Sequence, residues 1–161
     1  MLISNERALR AMAEKASDLG YRAEIITDRM TGDARDVAWD IMNGLHSRHS
    51  KTALLYGGET TVVITVKGEG GRNRELVVAA LLSVRDREGM VSIASDGRDN
   101  GEHAGAIADV ETLRHAEEHG LDIKWYLENN QSTKFFEKTG DYIMTGDTGS
   151  NVSDLVIALK D

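Results

Sequence analysis

Thr61-Val62-Val63-Ile64-Thr65-Val66, then Gly68-Glu69-Gly70-Gly71-Arg72-Asn73-Arg74-Glu75, then Leu76-Val77-Val78-Ala79-Ala80-Leu81-Leu82-Ser83-Val84: this stretch sets the reading of the whole chain. Its first part is β-branched and strand-like. Its last part is a helix-like run, apolar most of the way round, which predicts a buried helix. Between them, glycines let the backbone turn tightly and approach a ligand closely. The residues after the glycines open the helix, whose first N–H groups lack partners within it. Those groups and the helix dipole favour an anion. Arg72 adds a planar fork suited to carboxylate or phosphate. An ordinary strand-to-helix turn with a solvated arginine fits the same residues equally well. The loop is neither a Walker A sequence, since no Gly-Lys-Ser/Thr follows, nor G-x-G-x-x-G, since Asn73 stands where the third glycine belongs.

Outward from this unit the chain reads as α/β, a mixed β-sheet with flanking helices in a three-layer-like arrangement. Asn5 is expected to cap a helix running to about Leu19 after a short strand end at Leu2-Ile3-Ser4, with Gly20 as its stop. A strand centred on Ile25-Ile26 follows, then a helix capped by Asp33 with Val37, Ile41 and Leu45 on one stripe. Strand–helix–strand–helix is the signature of a parallel α/β unit. Thr52 to Tyr56, Gly57-Gly58 and Thr60 to Val66 read as a hairpin, which makes the sheet mixed. Further on, strands are expected at Met90–Ala94, Tyr142–Met144 and Val152–Leu159. Ala104 to Ala108 is a short apolar run. Helices are expected from Asp109 to about His119, from Leu121 to Asn130 and from Ser132 to Lys138.

The 161 residues suggest one compact domain, with 1–50 leading into a core at 51–161. Hydrophobic residues make up 40% and charged residues 29%, the balance of a soluble globular protein. The net charge of -8 and the lack of any basic run argue against a nucleic-acid partner. No apolar stretch is long enough to span a bilayer, so no membrane partner is expected. The start of the chain does not read as a signal peptide, and no Cys is present, which fits the cytoplasm. Pro is also absent, a feature with no functional account.

Three polar, glycine-bearing loops follow expected strands, at 68–74, 95–103 and 145–151. In open α/β sheets ligands sit beyond the carboxyl ends of strands. If those strands were parallel neighbours, the loops would converge. Loop 95–103 carries Asp96, Asp99, Glu102 and His103, oxygen ligands that suit Mg²⁺, with Asp96 the tentative ligand. It also reads as a solvated turn. Loop 145–151 carries Thr148, Gly149, Ser150 and Asn151, which could form an anion-binding nest or merely a tight turn. Glu59 either faces the same cleft or flanks a hairpin. His46, His49, His115 and His119 are read as surface residues.

Taken together the loops resemble a known family. Gly57-Gly58-Glu59-Thr60-Thr61, Gly70-Gly71-Arg72-Asn73-x-Glu75, Asp96-Gly97, Ala104-Gly105-Ala106-Ile107-x-Asp109, Asn130-x-Ser132-x-x-Phe135-Phe136 and Thr145-Gly146-x-Thr148-Gly149-x-Asn151-Val152-x-Asp154-Leu155 form an ordered series similar to the MOFRL domain. That domain is the C-terminal half of the glycerate 2-kinases, often labelled hydroxypyruvate reductases. Asp33-Ala34-Arg35-Asp36-Val37-Ala38 resembles the helix leading into it. The resemblance implies ATP- and Mg²⁺-dependent phosphorylation of D-glycerate to 2-phosphoglycerate. It also implies a larger N-terminal domain, absent from this sequence, that supplies a catalytic lysine and half of the cleft, here as a partner in trans. The chain is then expected to be a fragment, a truncated product or half of a split enzyme, inactive alone, with a homodimer as a further option.

On that resemblance Arg72 would be the catalytic contact to substrate carboxylate or transferring phosphoryl group. Gly70, Gly71 and Asn73 would supply donors to the substrate. Thr148, Gly149, Ser150 and Asn151 would hold a second phosphate or the nucleotide. The chain departs from the family's pattern at Arg74, where Gln is usual, and at Asp147, where Pro is usual. Both would place an extra charge beside an anion loop. The alternatives are a stand-alone, non-catalytic anion- or nucleotide-binding module and a structural domain whose glycine loops merely turn. A dehydrogenase lacks support, since there is no dinucleotide fingerprint.

Overall fold

A computed structural model describes residues 4–161. The strand end expected at Leu2-Ile3 lies outside them. Ser4, one residue ahead of the expected cap, accepts the N–H of Arg7 and starts α1 (Asn5–Asp18). β1 (Arg22–Met30) leads to α2 (Ala34–His46), capped by Asp33, whose Oδ1 accepts from Arg35 N at 2.9 Å. β2 (Thr52–Gly58) is buried along its whole length. α3 (Arg72–Leu81) is buried from Asn73 to Leu81; its apolar circumference predicts this from Leu76 on, but not for Asn73, Arg74 and Glu75. β3 (Glu88–Ala94) and β4 (Gly105–Ala108) follow, then α4 (Val110–Glu118), capped by Asp109. α5 (Ile123–Glu128), α6 (Ser132–Thr139), β5 (Tyr142–Ile143) and β6 (Asp154–Lys160) complete the chain.

The six strands form one mixed sheet in the order β1-β2-β6-β3-β4-β5. β1 and β2 are parallel, and every other neighbouring pair is antiparallel. The expected hairpin of β2 with Thr60–Val66 does not form. β6, from the far end of the chain, pairs with β2 from Thr52↔Lys160 to Gly58↔Asp154, and β1 takes the other edge. With both edges occupied, β2 has none left for 60–66. That segment is instead an irregular strap, held by a bridge from Thr61 to Asp33 and by Asn130, whose Oδ1 accepts the Thr65 N–H at 3.0 Å.

α2 to α6 pack on one face of the sheet. Their Ile41, Leu45, Val77, Leu127, Phe135 and Phe136 join Leu54, Met90, Ala106 and Val156 in a single core. α1 lies on the other face, over β1 and β2. The helices therefore flank the sheet on both sides, but unequally. His46 is not the surface residue expected of it: its Nε2 lies 3.0 Å from the buried carboxylate of Glu88. His115 likewise pairs with Asp141, at 3.0 Å.

Candidate functional site

β2 and β3 run in the same direction, with β6 between them in the opposite one. Gly58, Asp154 and Ala94 are therefore level across the sheet. The segments after β2, after β3 and before β6 all start from that edge. The sequence expectation required parallel neighbours, and the structure meets the need differently. A loop that precedes an antiparallel strand lies at the same end as loops that follow its neighbours.

The first turn of α3 is the best-built part of this edge. Its cap position is Gly71, which has no side chain to accept the exposed N–H groups. Asp99 does so from the neighbouring loop. Its Oδ1 accepts from Asn73 N at 3.1 Å and its Oδ2 from Arg74 N at 3.0 Å. The anion predicted at this helix terminus is thus the protein's own carboxylate. Gly71 has to be glycine, because a Cβ there would fall 2.3 Å from that carboxylate. A helix opening on glycine, without Ser, Thr or Asp, was the available signal that an acceptor must come from elsewhere. Asp99, expected as a solvated or metal-facing residue, is instead buried.

Arg74 departs most from expectation. It is 1% exposed and adds no charge to the loop surface. Its Nε donates to Asp99 Oδ2 at 3.1 Å, its Nη2 donates to the Asp99 carbonyl, and its Nη1 lies 2.8 Å from His103 Nδ1. Against a guanidinium, Nδ1 must accept, so the ring is neutral with its proton on Nε2. Burial, seconded by Arg74, lowers the His103 pKa from 6.5. Asn73 is buried as well, its Oδ1 accepting from Ser92 Oγ, so its side chain holds the loop from below.

Arg72 points the other way, into a cleft of about 460 Å³ lined by Thr60, Ile64, Gly70, Gly71, Glu75 and Asn130. It is not the free fork expected. Its Nε donates to Asp154 Oδ2 at 2.5 Å and its Nη2 to Oδ1 at 3.0 Å, with Glu59 3.5 Å from Nη2. Asp154 is 1% exposed. Burial raises its pKa and the Arg72 hydrogen bond opposes the rise. This pair occupies the Nε–Nη2 edge of the guanidinium and holds Arg72 at the wall of the cleft. Opposite stands Glu75, a carboxylate that residue-level reasoning did not single out. Its Oε1 accepts from Arg35 Nε at 2.9 Å and Nη2 at 2.6 Å. Burial raises its pKa against the pull of Arg35.

The 145–151 turn sits at the same edge but does not line that cleft. Thr148 N donates to the Asp96 carbonyl at 3.2 Å, which ties the turn to the loop after β3. The expected nest is partly filled from within. Gly149 N donates to Asp147 Oδ1 at 2.8 Å, Ser150 N to Thr148 Oγ1 at 3.4 Å, and Asn151 Oδ1 accepts from Ser153 N at 3.2 Å. Asp147 therefore closes its own turn. Asp96 caps its own turn through Arg98 N at 2.9 Å and keeps Oδ2 within 3.5 Å of Asn151 Nδ2. Among the described residues, no group of three His, Asp or Glu side chains is placed to hold a metal ion.

Known proteins share the sequence pattern and the fold. A family model described as the MOFRL family matches residues 52–154. The chain is 33% identical to glycerate 2-kinase of Pyrococcus horikoshii over 99% of its own length and 38% of that protein. It is 36% identical to D-glycerate 2-kinase of Thermotoga maritima, over 89% of its length and 37% of that protein. The crystal structure of a Thermotoga maritima glycerate kinase superposes with a TM-score of 0.92 at 32% identity, covering 98% of this chain and 41% of that one. The chain thus spans about two fifths of the length of the relatives it matches.

Proposed function

The chain belongs to the MOFRL family, and on that premise we propose that it acts as the C-terminal domain of an ATP-dependent glycerate kinase, converting D-glycerate to 2-phosphoglycerate. The observation that carries this is Arg72, held by buried Asp154 and aimed into a cleft walled by the glycine loop. Phosphoryl transfer asks little covalent chemistry of a protein; it needs positioned cations, close backbone approach and a metal on the phosphates. Arg72 supplies the cation to the substrate carboxylate or the transferring phosphoryl group. Gly70 and Gly71 let that group come close to the backbone.

A nucleotide-bound Mg²⁺ typically takes one or two carboxylates and fills its shell with phosphate oxygens and water. Asp96 fits as a single such ligand, because it is partly exposed and leaves Oδ2 weakly engaged. The ion, when bound, neutralises charge on the phosphates. Thr148, Ser150 and Asn151 lie beside Asp96 and serve the nucleotide side, while Arg72 and the glycines serve the glycerate side. The cleft is open, and a region corresponding to the remaining three fifths of the relatives completes it and makes the chain competent for catalysis.

A thermal-shift titration with ATP–Mg²⁺, D-glycerate and 2-phosphoglycerate tests this reading. Ligand at 100 times its dissociation constant stabilises by about 2.7 kcal/mol. The expected result is a shift with 2-phosphoglycerate that is lost in Arg72→Ala, each protein being compared with its own unliganded melt. A shift retained in the variant would remove Arg72 from the role. The loop 145–151 that bonds to itself favours a second reading, a non-catalytic anion-binding module. Binding of phosphate without any turnover when the N-terminal region is supplied in trans would favour it.

A further inference from the structure

The sheet is apolar on both faces, but one of them is covered only in part, by α1 over β1 and β2. β3 and β6 turn Met90, Ser92, Val156 and Ala158 into the helical core, where all are buried. Toward the α1 side they turn Val91, Ile93, Leu155, Ile157 and Leu159, all partly exposed. The register sets Val91 beside Ile157 and Ile93 beside Leu155, with Ile107 of β4 beside Val91. Six aliphatic side chains thus stand together at the middle of the sheet. α1 packs on β1 and β2 and leaves a groove of about 410 Å³ between itself and β6, lined by Met12, Ala16, Leu19, Tyr21, Ile157 and Leu159. An antiparallel strand that faces water alternates apolar with polar residues. β3 and β6 do not, and a contiguous patch of this kind marks an interaction surface.

We propose that this face is the seat of an amphipathic helix from the region that precedes the domain in its longer relatives, laid beside α1 over β6 and β3. The proposal rests on the C-terminal-domain reading above. Three observations choose this occupant. The relatives carry about three fifths of their length outside the segment matched here. A polypeptide arriving from the N-terminal side reaches the fold at α1, whose first residue, Asn5, abuts Gly57 at the cleft end of β2. Asn5 Oδ1 is buried there without a hydrogen-bond partner among the described residues, a lack that a donor on the arriving segment would remedy. A second copy is the poorer occupant, since each carries a net charge of -8. A helix over a sheet also completes the layer that α1 begins.

The chain contains no Cys, so Ile157→Cys introduces a single thiol on this face. Its maleimide-labelling rate, read by mass spectrometry of the peptide containing position 157, is measured in two proteins. One is the 161-residue chain. The other is a single polypeptide carrying the N-terminal region of the Thermotoga maritima enzyme ahead of residue 1. Glu117→Cys, on an exposed helix face, is the control in both. The short chain should label at position 157 at a rate independent of protein concentration. The longer polypeptide should label about tenfold or more slowly at position 157, because a covered site reacts only through opening, with the control unchanged. An unslowed rate in the longer polypeptide overturns the proposal. So does concentration-dependent protection of the short chain, which would assign the face to a second copy. If the face is protected but 2-phosphoglycerate binds neither protein, the kinase reading fails while the interface stands.

Discussion

The first turn of α3 and the turn at 145–151 stand at the same sheet edge and look alike as sequence, both glycine-bearing and polar. They are built by opposite means. The α3 turn is knitted to a residue 25 positions away, with Asp99 binding two backbone N–H groups and the Arg74 side chain in one buried cluster. The 145–151 turn bonds mainly within itself, through Asp147, Thr148 and Asn151 accepting from neighbours two residues on, and is tied to the loop after β3 only at Thr148 and Asn151. The contrast shows that a charge near a glycine loop does not announce its role. Arg72 and Arg74 are two positions apart, yet one faces the cleft and the other is fully enclosed.

The sharpest way to break this contrast is Asp99→Ala. It leaves the Arg74 guanidinium buried without its partner and uncaps α3, and breaking a buried pair in this way costs about 3–5 kcal/mol. Urea denaturation should show a loss of that size; a change below about 0.5 kcal/mol would mean the cluster does not hold the turn.

A finer probe is pH. The folded pKa of His103 is lowered from 6.5, so the fold prefers the neutral ring that accepts from Arg74. The associated stability is full above 6.5 and is lost as pH falls through the depressed folded value. His103→Gln should flatten the stability–pH curve in the window below 6.5, measured by thermal melts across a buffer series. An unchanged slope would assign the acid sensitivity to another group.

The smallest effect is expected at Asp147→Ala, which removes one hydrogen bond within an exposed turn and should change stability by about 0.5 kcal/mol or less. A loss comparable to that of Asp99→Ala would show the two turns to be equally built, and would end the comparison.

Much of the fold was legible residue by residue. Asp33 and Asp109 mark the starts of α2 and α4 because short polar side chains reach the first N–H groups. α3 was read as buried from its apolar circumference. Thr60–Val66 was misread because its β-branched residues do favour a strand, but strand propensity cannot tell whether a neighbouring edge is free. At the candidate site, the sequence pointed to Gly70, Gly71 and Arg72, and the structure sets all three on the wall of one cleft. Asn73 was named as a donor to the substrate, and the structure shows its side chain buried against Ser92. Glu75 went without a role because its meaning depends on Arg35, a residue 40 positions earlier.

From the sequence alone followed the caps of α2 and α4, the α/β class, the family and the glycine–arginine loop, because these rest on local chemistry and on an ordered series of motifs. Only the tertiary structure decided that β6 lies between β2 and β3, that Asp99 is the anion at α3, that Asp154 aims Arg72, and that one sheet face is left half bare. Each of these joins residues from distant parts of the chain, and which distant groups meet is settled by how the whole core packs and which strand edges remain to be paired.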